Sequence, residues 1–459
     1  MKRIIMTVLL SGMVAASIYA SNKPSLTFDA ASGVTKTLVM PSGKAVEYVA
    51  YERLYFVGNV EDSACQYMNV YVPRNATQKT PILLRTYARE DAPQEPREPT
   101  GLDATGRALA EGYVVAIPGA RFASAHVQLL DLKAAVRYLR LFDKKMAGSA
   151  ERIIADGTGV GATLVSMLGT TGNHPDYEQQ LQEMGAADKK DDVYACVCYS
   201  PLLNNEQEDQ AYEWLFNCTN NQTRPLSAEQ AMRSNELAAQ YASYLNSLEL
   251  KNPADGTLMK ADNFRSYIKW QLIKAAQKAK NAGALIPDSI GFTFSDVAES
   301  LSDSQAATPA PQQLTMEERL RNAAKYLNSP RQGRRVEAKP AGEYLVNLDL
   351  ETYLNFLAAT QRMKEPASHG DGSAIPFPSE IGSQSPQAEQ NRPQAAAPHW
   401  YIRHGAMDCQ TSFATTTAFV VKLQNQGKEV DFLLAWNRTF GGDYALDELF
   451  DWIEFIVHN

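Results

Sequence analysis

The segment Ile153-Ile154-Ala155-Asp156-Gly157-Thr158-Gly159-Val160-Gly161-Ala162 reads as a strand, a glycine-rich turn and the start of a helix. Such a turn can serve two kinds of chemistry. In the first, of the G-x-G-x-x-A kind, glycines let the backbone close on a dinucleotide pyrophosphate at the helix N-terminus. In the second, G-x-S-x-G, a sharp turn exposes a nucleophilic serine at the end of a sheet, and Gly157 and Gly161 would be its flanking glycines. The serine position then falls on Gly159. The dinucleotide reading is the poorer one, because the motif lies far from an opening βαβ unit. Asp176, spaced for a ribose contact, sits in the turn-like Asn173-His174-Pro175-Asp176-Tyr177.

A serine-type site also needs an acid and a histidine, which come after the nucleophile in that chain order on a sheet of this kind. Gly405-Ala406-Met407-Asp408 closes one later strand and offers the Asp408 carboxylate. The loop after the next strand, Asn437 to Gly442, contains Phe440 and no histidine. The histidines are His126, His174, His369, His399, His404 and His458, and His404, though near Asp408, belongs to the strand and reads as structural. Cys409 reads as a packed thiol rather than a nucleophile. No Cys or His spacing suits a metal, and no cofactor is expected.

The elements that would hold these residues have an α/β pattern. Gln66 to Val72, Pro81 to Tyr87, Tyr113 to Pro118, Arg152 to Ala155 and Val193 to Tyr199 read as strands, the apolar ones suited to a buried parallel sheet. Val127 to Phe142 and Val160 to Leu168 read as helices between them. Ser227 to Leu248, with Ser227 as cap, and Asn263 to Ala282 are helical by periodicity. Phe292 to Arg335 and Ser383 to Pro398 are rich in Ser, Gln, Ala and Pro and are expected as exposed loops. The α/β pattern returns with strands at Trp400 to His404 and Val430 to Trp436 and helices at Phe413 to Gln426 and Asp443 to His458. The expectation is one α/β domain, residues 21–225 and 398–459, interrupted by a mostly helical cap at 226–397.

Met1-Lys2-Arg3, an apolar run to about Ala16 and Ser17-Ile18-Tyr19-Ala20 describe a secretory leader cut after Ala20. The apolar run is shorter than the roughly 20 residues of a membrane span, so an exported chain with no span after cleavage is expected, periplasmic or extracellular. Removing Lys2 and Arg3 takes the formal charge from −8 to −10, which argues against a nucleic-acid partner. Of the cysteines Cys65, Cys196, Cys198, Cys218 and Cys409, an odd number, at least one must stay unpaired. Cys196 and Cys198 are expected on opposite faces of their strand and not to bridge each other. Asn-x-Thr acceptor sites occur at Asn75, Asn217, Asn221 and Asn437.

Several collinear stretches carry a more specific likeness. Gly169-Thr170-Thr171-Gly172-Asn173-His174-Pro175-Asp176-Tyr177-Glu178, Asp191-Asp192-Val193-Tyr194-Ala195 and Ala211-Tyr212-Glu213-Trp214 are among them. So are the runs Gln66 to Pro73, Asp131 to Arg140, Arg362-Met363-Lys364 and Gly442-Asp443-Tyr444. In these the chain, from about Tyr51 to its C-terminus, resembles the bacterial tannase family of tannase and feruloyl-esterase hydrolases. The resemblance implies an α/β-hydrolase fold with a largely helical cap. It places the family's nucleophilic serine on Gly159, its histidine on Phe440 and its triad acid on Asp408. A second family aspartate falls on Gln410, a lysine that binds phenolic hydroxyls on Lys364, and that lysine's glutamate partner on Glu380. The glycine pair of an oxyanion turn is replaced by Arg85-Thr86-Tyr87-Ala88-Arg89. With these positions lost together, the resemblance implies an inactive homologue that binds a small phenolic ester, another ligand or a partner, or serves structurally. The alternative is an active ester hydrolase with rearranged residues.

Overall fold

The computed structural model describes residues 26–296, 344–361, 363 and 395–458, with positions 90, 204, 221 and 410 excepted. A hairpin of β1 (Val34–Val39) and β2 (Ala45–Tyr55) leads into β3 (Tyr67–Pro73) and β4 (Pro81–Thr86). Helix α1 (Ala104–Glu111), β5 (Val114–Pro118), α2 (Ala125–Leu141), β6 (Ser149–Thr158) and α3 (Val160–Thr170) come next. After them stand α4 (Glu178–Glu183), β7 (Ala195–Tyr199), α5 (Asn205–Phe216), α6 (Ala228–Ser247) and α7 (Ala261–Asn281). A small antiparallel pair, β8 (Phe292–Asp296) with β9 (Tyr344–Leu348), precedes the helix Leu350–Thr360. The chain closes with β10 (His399–Gly405), the helix Phe413–Asn425, β11 (Glu429–Ala435) and the helix Leu446–His458.

Nine strands form one sheet in the order β1-β2-β3-β5-β4-β6-β7-β10-β11. From β5 to β11 every pairing is parallel, whereas β1, β2 and β3 join antiparallel at one edge. The parallel strands are apolar on both faces because helices cover both. Helices α2, α3 and Phe413–Asn425 pack on one face, and α1 and Leu446–His458 on the other. This is the α/β-hydrolase arrangement, with α6, α7 and the β8–β9 pair as its cap. The expected cap of α6 is present in full: Ser227 Oγ accepts the Gln230 N–H, and the Gln230 side chain accepts the Ser227 N–H.

Four local expectations need correction. Cys196 and Cys198 share a face, because side chains two apart on a strand point the same way. Both lie in the core under α3, and Val197 lies in the opposite one. Phe292–Asp296, expected as loop, is strand β8, whose Phe292 is buried against Tyr353 and Trp436. Ala397, at the end of the second expected exposed loop, is buried and donates its N–H to the Gly169 carbonyl. The last helix starts at Leu446 rather than Asp443, because Asp443 and Ala445 take positive φ values of 55° and 52°. Most of the remainder of both low-complexity stretches lies outside the described residues.

The face carrying α2 is tied down by a buried ion network. Lys133 Nζ lies 2.9 Å from Asp191 Oδ1, and Arg137 Nε lies 2.8 Å from Asp191 Oδ2. The Asn173 N–H donates to the same carboxylate, and Asn173 Oδ1 accepts the Asp191 N–H. Burial alone would raise the Asp191 carboxyl; Lys133 and Arg137 outweigh it and hold the group below its usual range. Replacing Asp191 leaves two buried cations without their shared anion, a change that costs about 3–5 kcal/mol when one partner of a buried pair is removed. Asp191→Asn is therefore expected to lower the unfolding free energy by about that amount in a denaturant titration at pH 7. A loss below about 1 kcal/mol would mean that the network carries no net stability.

Candidate functional site

The turn from β6 into α3 is completed within one residue. Gly159 has φ 58° and ψ −121°, a backbone conformation that costs a residue with a side chain about 1–3 kcal/mol. Its N–H is held by the Tyr199 carbonyl of the neighbouring strand at 2.9 Å, and its carbonyl accepts the Thr163 N–H. Gly157 is required by close approach, since a Cβ there would stand 2.3 Å from the carbonyl carbon of Gly161. This is a nucleophile elbow in form. The dinucleotide reading fails on its acid: Asp176 lies in the 3-10 turn Pro175–Tyr177, before β7 begins, so it is not at the end of the neighbouring strand.

Phe440 stands directly over the elbow. A Cβ built on Gly159 would lie 2.8 Å from Phe440 Cζ, so the ring occupies the space of a side chain at 159. Phe440 is 43% exposed, so solvent still reaches it. The loop carrying it is tied to the other strand ends. The Met407 N–H donates to the Arg438 carbonyl, and Ser200 Oγ lies 3.3 Å from the Gly441 carbonyl. Gly442 packs on Thr158 so closely that a Cβ there would stand 2.1 Å from Thr158 Oγ1.

Asp408 is fully buried and its carboxylate is engaged locally. Oδ2 accepts the Thr411 hydroxyl at 2.7 Å, Oδ1 accepts the Thr411 N–H, and His404 Nε2 lies 3.4 Å from Oδ2. His404 Nδ1 lies 2.9 Å from Thr416 Oγ1. The pair thus knits the end of β10 to the start of the helix Phe413–Asn425. Cys409 is buried and donates its thiol to Gln361 Oε1. The other described histidines have partners away from the elbow: His126 with Gln180, His174 with the Asp176 N–H, His399 with Glu429 and His458 with the Glu454 carbonyl. Lys364, Glu380, Gln410 and His369 lie outside the described residues. No group of His, Cys, Asp and Glu among the described residues could hold a metal.

What the sequence did not disclose is the role of Arg85. Its buried guanidinium reaches Asp156 Oδ2 and Asp443 Oδ2, each at 2.7 Å, and Thr158 Oγ1 at 3.4 Å. Burial pushes the Asp156 carboxyl up to about 6, against the pull of Arg85 and with the push of Asp443. Tyr87, the next side chain on that turn but one, lies between the guanidinium groups of Arg85 and Arg97 and donates to Asp103. The Ala88 N–H faces Thr86 Oγ1 at 3.3 Å. The end of β4 and the residues just after it are therefore braced. An arginine inside the apolar run Pro81-Ile82-Leu83-Leu84-Arg85-Thr86 was the one signal of it in the sequence.

The contact between residue 159 and Phe440 can be measured by a double-mutant cycle. Gly159→Ala is expected to destabilise by about 1–3 kcal/mol from backbone strain alone, and by more while the ring is present. Phe440→Ala in the same chain should recover at least about 0.5 kcal/mol of that loss. Strictly additive effects would show that the ring does not occupy the space of a side chain at 159.

Comparison with known proteins agrees with this geometry. The BD-FAE family model matches residues 68–251. The crystal structure of Fusobacterium nucleatum tannase is similar at 25% identity, over 95% of this chain and 100% of that one, with a TM-score of 0.71. The native tannin acyl hydrolase of Lactobacillus plantarum is similar at 27% identity, over 94% and 98%, with a TM-score of 0.70. A tannin acyl hydrolase solved in complex with 3,4-dihydroxybenzoate is similar at 28% identity over the same shares, also with a TM-score of 0.70. No curated protein matches the chain. In its sheet, its elbow and its relatives, the chain is a tannase-like α/β-hydrolase.

Proposed function

We propose that this chain is a tannase-like protein that binds a small phenolic acid or ester without hydrolysing it. The observation that carries this reading is the Phe440 ring over Gly159. Acyl transfer needs an oxygen or sulfur nucleophile and a base. At the tip of the elbow there is no side chain, and the group beside it accepts no proton. Removing the serine or the histidine of a working triad lowers turnover by roughly 10⁶-fold. Asp408, engaged with Thr411 and His404, supports the reading further. The ligand class comes from the dihydroxybenzoate-bound relative.

Purified protein incubated with methyl gallate or methyl ferulate should release no acid above a blank, and a fluorophosphonate should label no side chain. Calorimetric titration with 3,4-dihydroxybenzoate should give saturable heat. Turnover above the blank, together with one labelled residue whose mutation abolishes it, would establish the rival reading of an ester hydrolase with rearranged residues.

We also propose that the protein acts outside the cytoplasm, on the strength of the charged, apolar and small-residue order from Met1 to Ala20. The intact mass of protein recovered from its native cells should correspond to a chain starting at Ser21. A chain retaining Met1-Lys2-Arg3 would refute export by this leader.

A further inference from the structure

We propose that Arg85 is a latch that holds the Phe440 loop shut over the elbow, and that releasing its bond to Asp443 opens the space above Gly159. The loop is held in place against its own backbone. Asn437, Asp443 and Ala445 all have positive φ, between 52° and 55°, which costs residues with side chains free energy unless the surroundings impose it. Asn437 to Phe440 are exposed and tied down by the Met407 N–H to the Arg438 carbonyl, whereas Gly441 to Asp443 are half-buried and Tyr444 buried, so the side-chain restraints lie on the Asp443 side.

There the restraints are few and identifiable. Asp443 Oδ2 takes the Arg85 guanidinium at 2.7 Å, and Oδ1 accepts the Ala104 N–H at the start of α1, at 3.1 Å. The Tyr199 hydroxyl donates to the Tyr444 carbonyl, and the Gly441 N–H faces Ser200 Oγ at 3.4 Å. Of these, only the Arg85 contact is a charge-assisted bond between two side-chain ions, and such bonds are about twice as strong as neutral ones. Its other arm is fixed by Asp156 on β6, so the guanidinium clamps the loop to the strand that carries the elbow. Removing one member of a buried pair is strongly destabilising where the pair stands, and here the effect falls on a segment that already holds three residues at positive φ. The consequence concerns access to the elbow, and it holds whether or not the protein cleaves esters.

The test is amide hydrogen exchange of the full chain, comparing wild type with Arg85→Gln and Asp443→Asn. Asp443→Asn leaves the Arg85–Asp156 pair in place and serves if Arg85→Gln does not fold. Exchange across residues 437–445 is expected to rise roughly tenfold or more in each folded variant, with β4 and β6 unchanged in Asp443→Asn, which keeps the Arg85–Asp156 pair. Wild-type exchange of 437–445 in Asp443→Asn would overturn the latch. So would a rise of equal size throughout the sheet, since that would report global destabilisation instead of local opening.

Discussion

The reversal from strand to helix at Gly159 is the constraint on which the arrangement above the sheet depends. Between Thr158 and Val160 the chain has a single residue in which to turn, and the turn is tight enough that Gly157 and Gly161 nearly touch. That geometry is built for displaying one side chain at its tip. With glycine there, the tip is bare and the conformation unstrained, and a ring from the neighbouring loop can rest on it. A side chain at 159 and a phenylalanine at 440 compete for one volume, so the glycine makes the ring tolerable. Arg85 belongs to the same arrangement, because it anchors that loop to the adjoining strand.

The stretches that resemble the tannase family mostly serve cohesion. Lys133, Arg137 and Arg140 on α2 reach Asp191, Glu178 and Asp192. Gln66 and Arg121 meet at Asp131, and Glu213 receives Arg224 and Ser234. Such buried networks tolerate little change, since removing one member strands its partner without water. Gly159, Asp408 and Phe440, by contrast, stand in short loops at the strand ends.

The buried parallel strands were legible in the sequence because helices cover them on both sides, which leaves runs such as Val114-Val115-Ala116-Ile117 with no polar interruption. The β1–β2 hairpin was not, for the opposite reason: Val34-Thr35-Lys36-Thr37-Leu38-Val39 is half-exposed at the sheet edge, and Lys36 is spent on Glu52 and Glu98. Helix α1 is short and contains Gly106, so its period is weak. Strand β8 finds its partner some fifty residues away, beyond the reach of any local pattern. At the site, Gly159 and Asp408 could be named from order and spacing, and Phe440 only through the resemblance to the tannase family. That Asp408 is engaged by Thr411 and His404, and that Arg85 joins β6 to the Phe440 loop, depends on side-chain directions that spacing does not encode.

The thiols carry a consequence of a different kind. Cys196 and Cys198 sit under α3, Cys196 donating to the Val165 carbonyl and Cys198 in contact with Ser166 Oγ, and neither forms a disulfide. Cys65 is likewise a buried thiol, and burial raises the pKa of each of these groups, which suppresses the thiolate that would react. The fold is closed by packing and ion pairing, without any covalent cross-link among the described residues. Its assembly consequently requires no oxidant, and reductants have no bond in it to break.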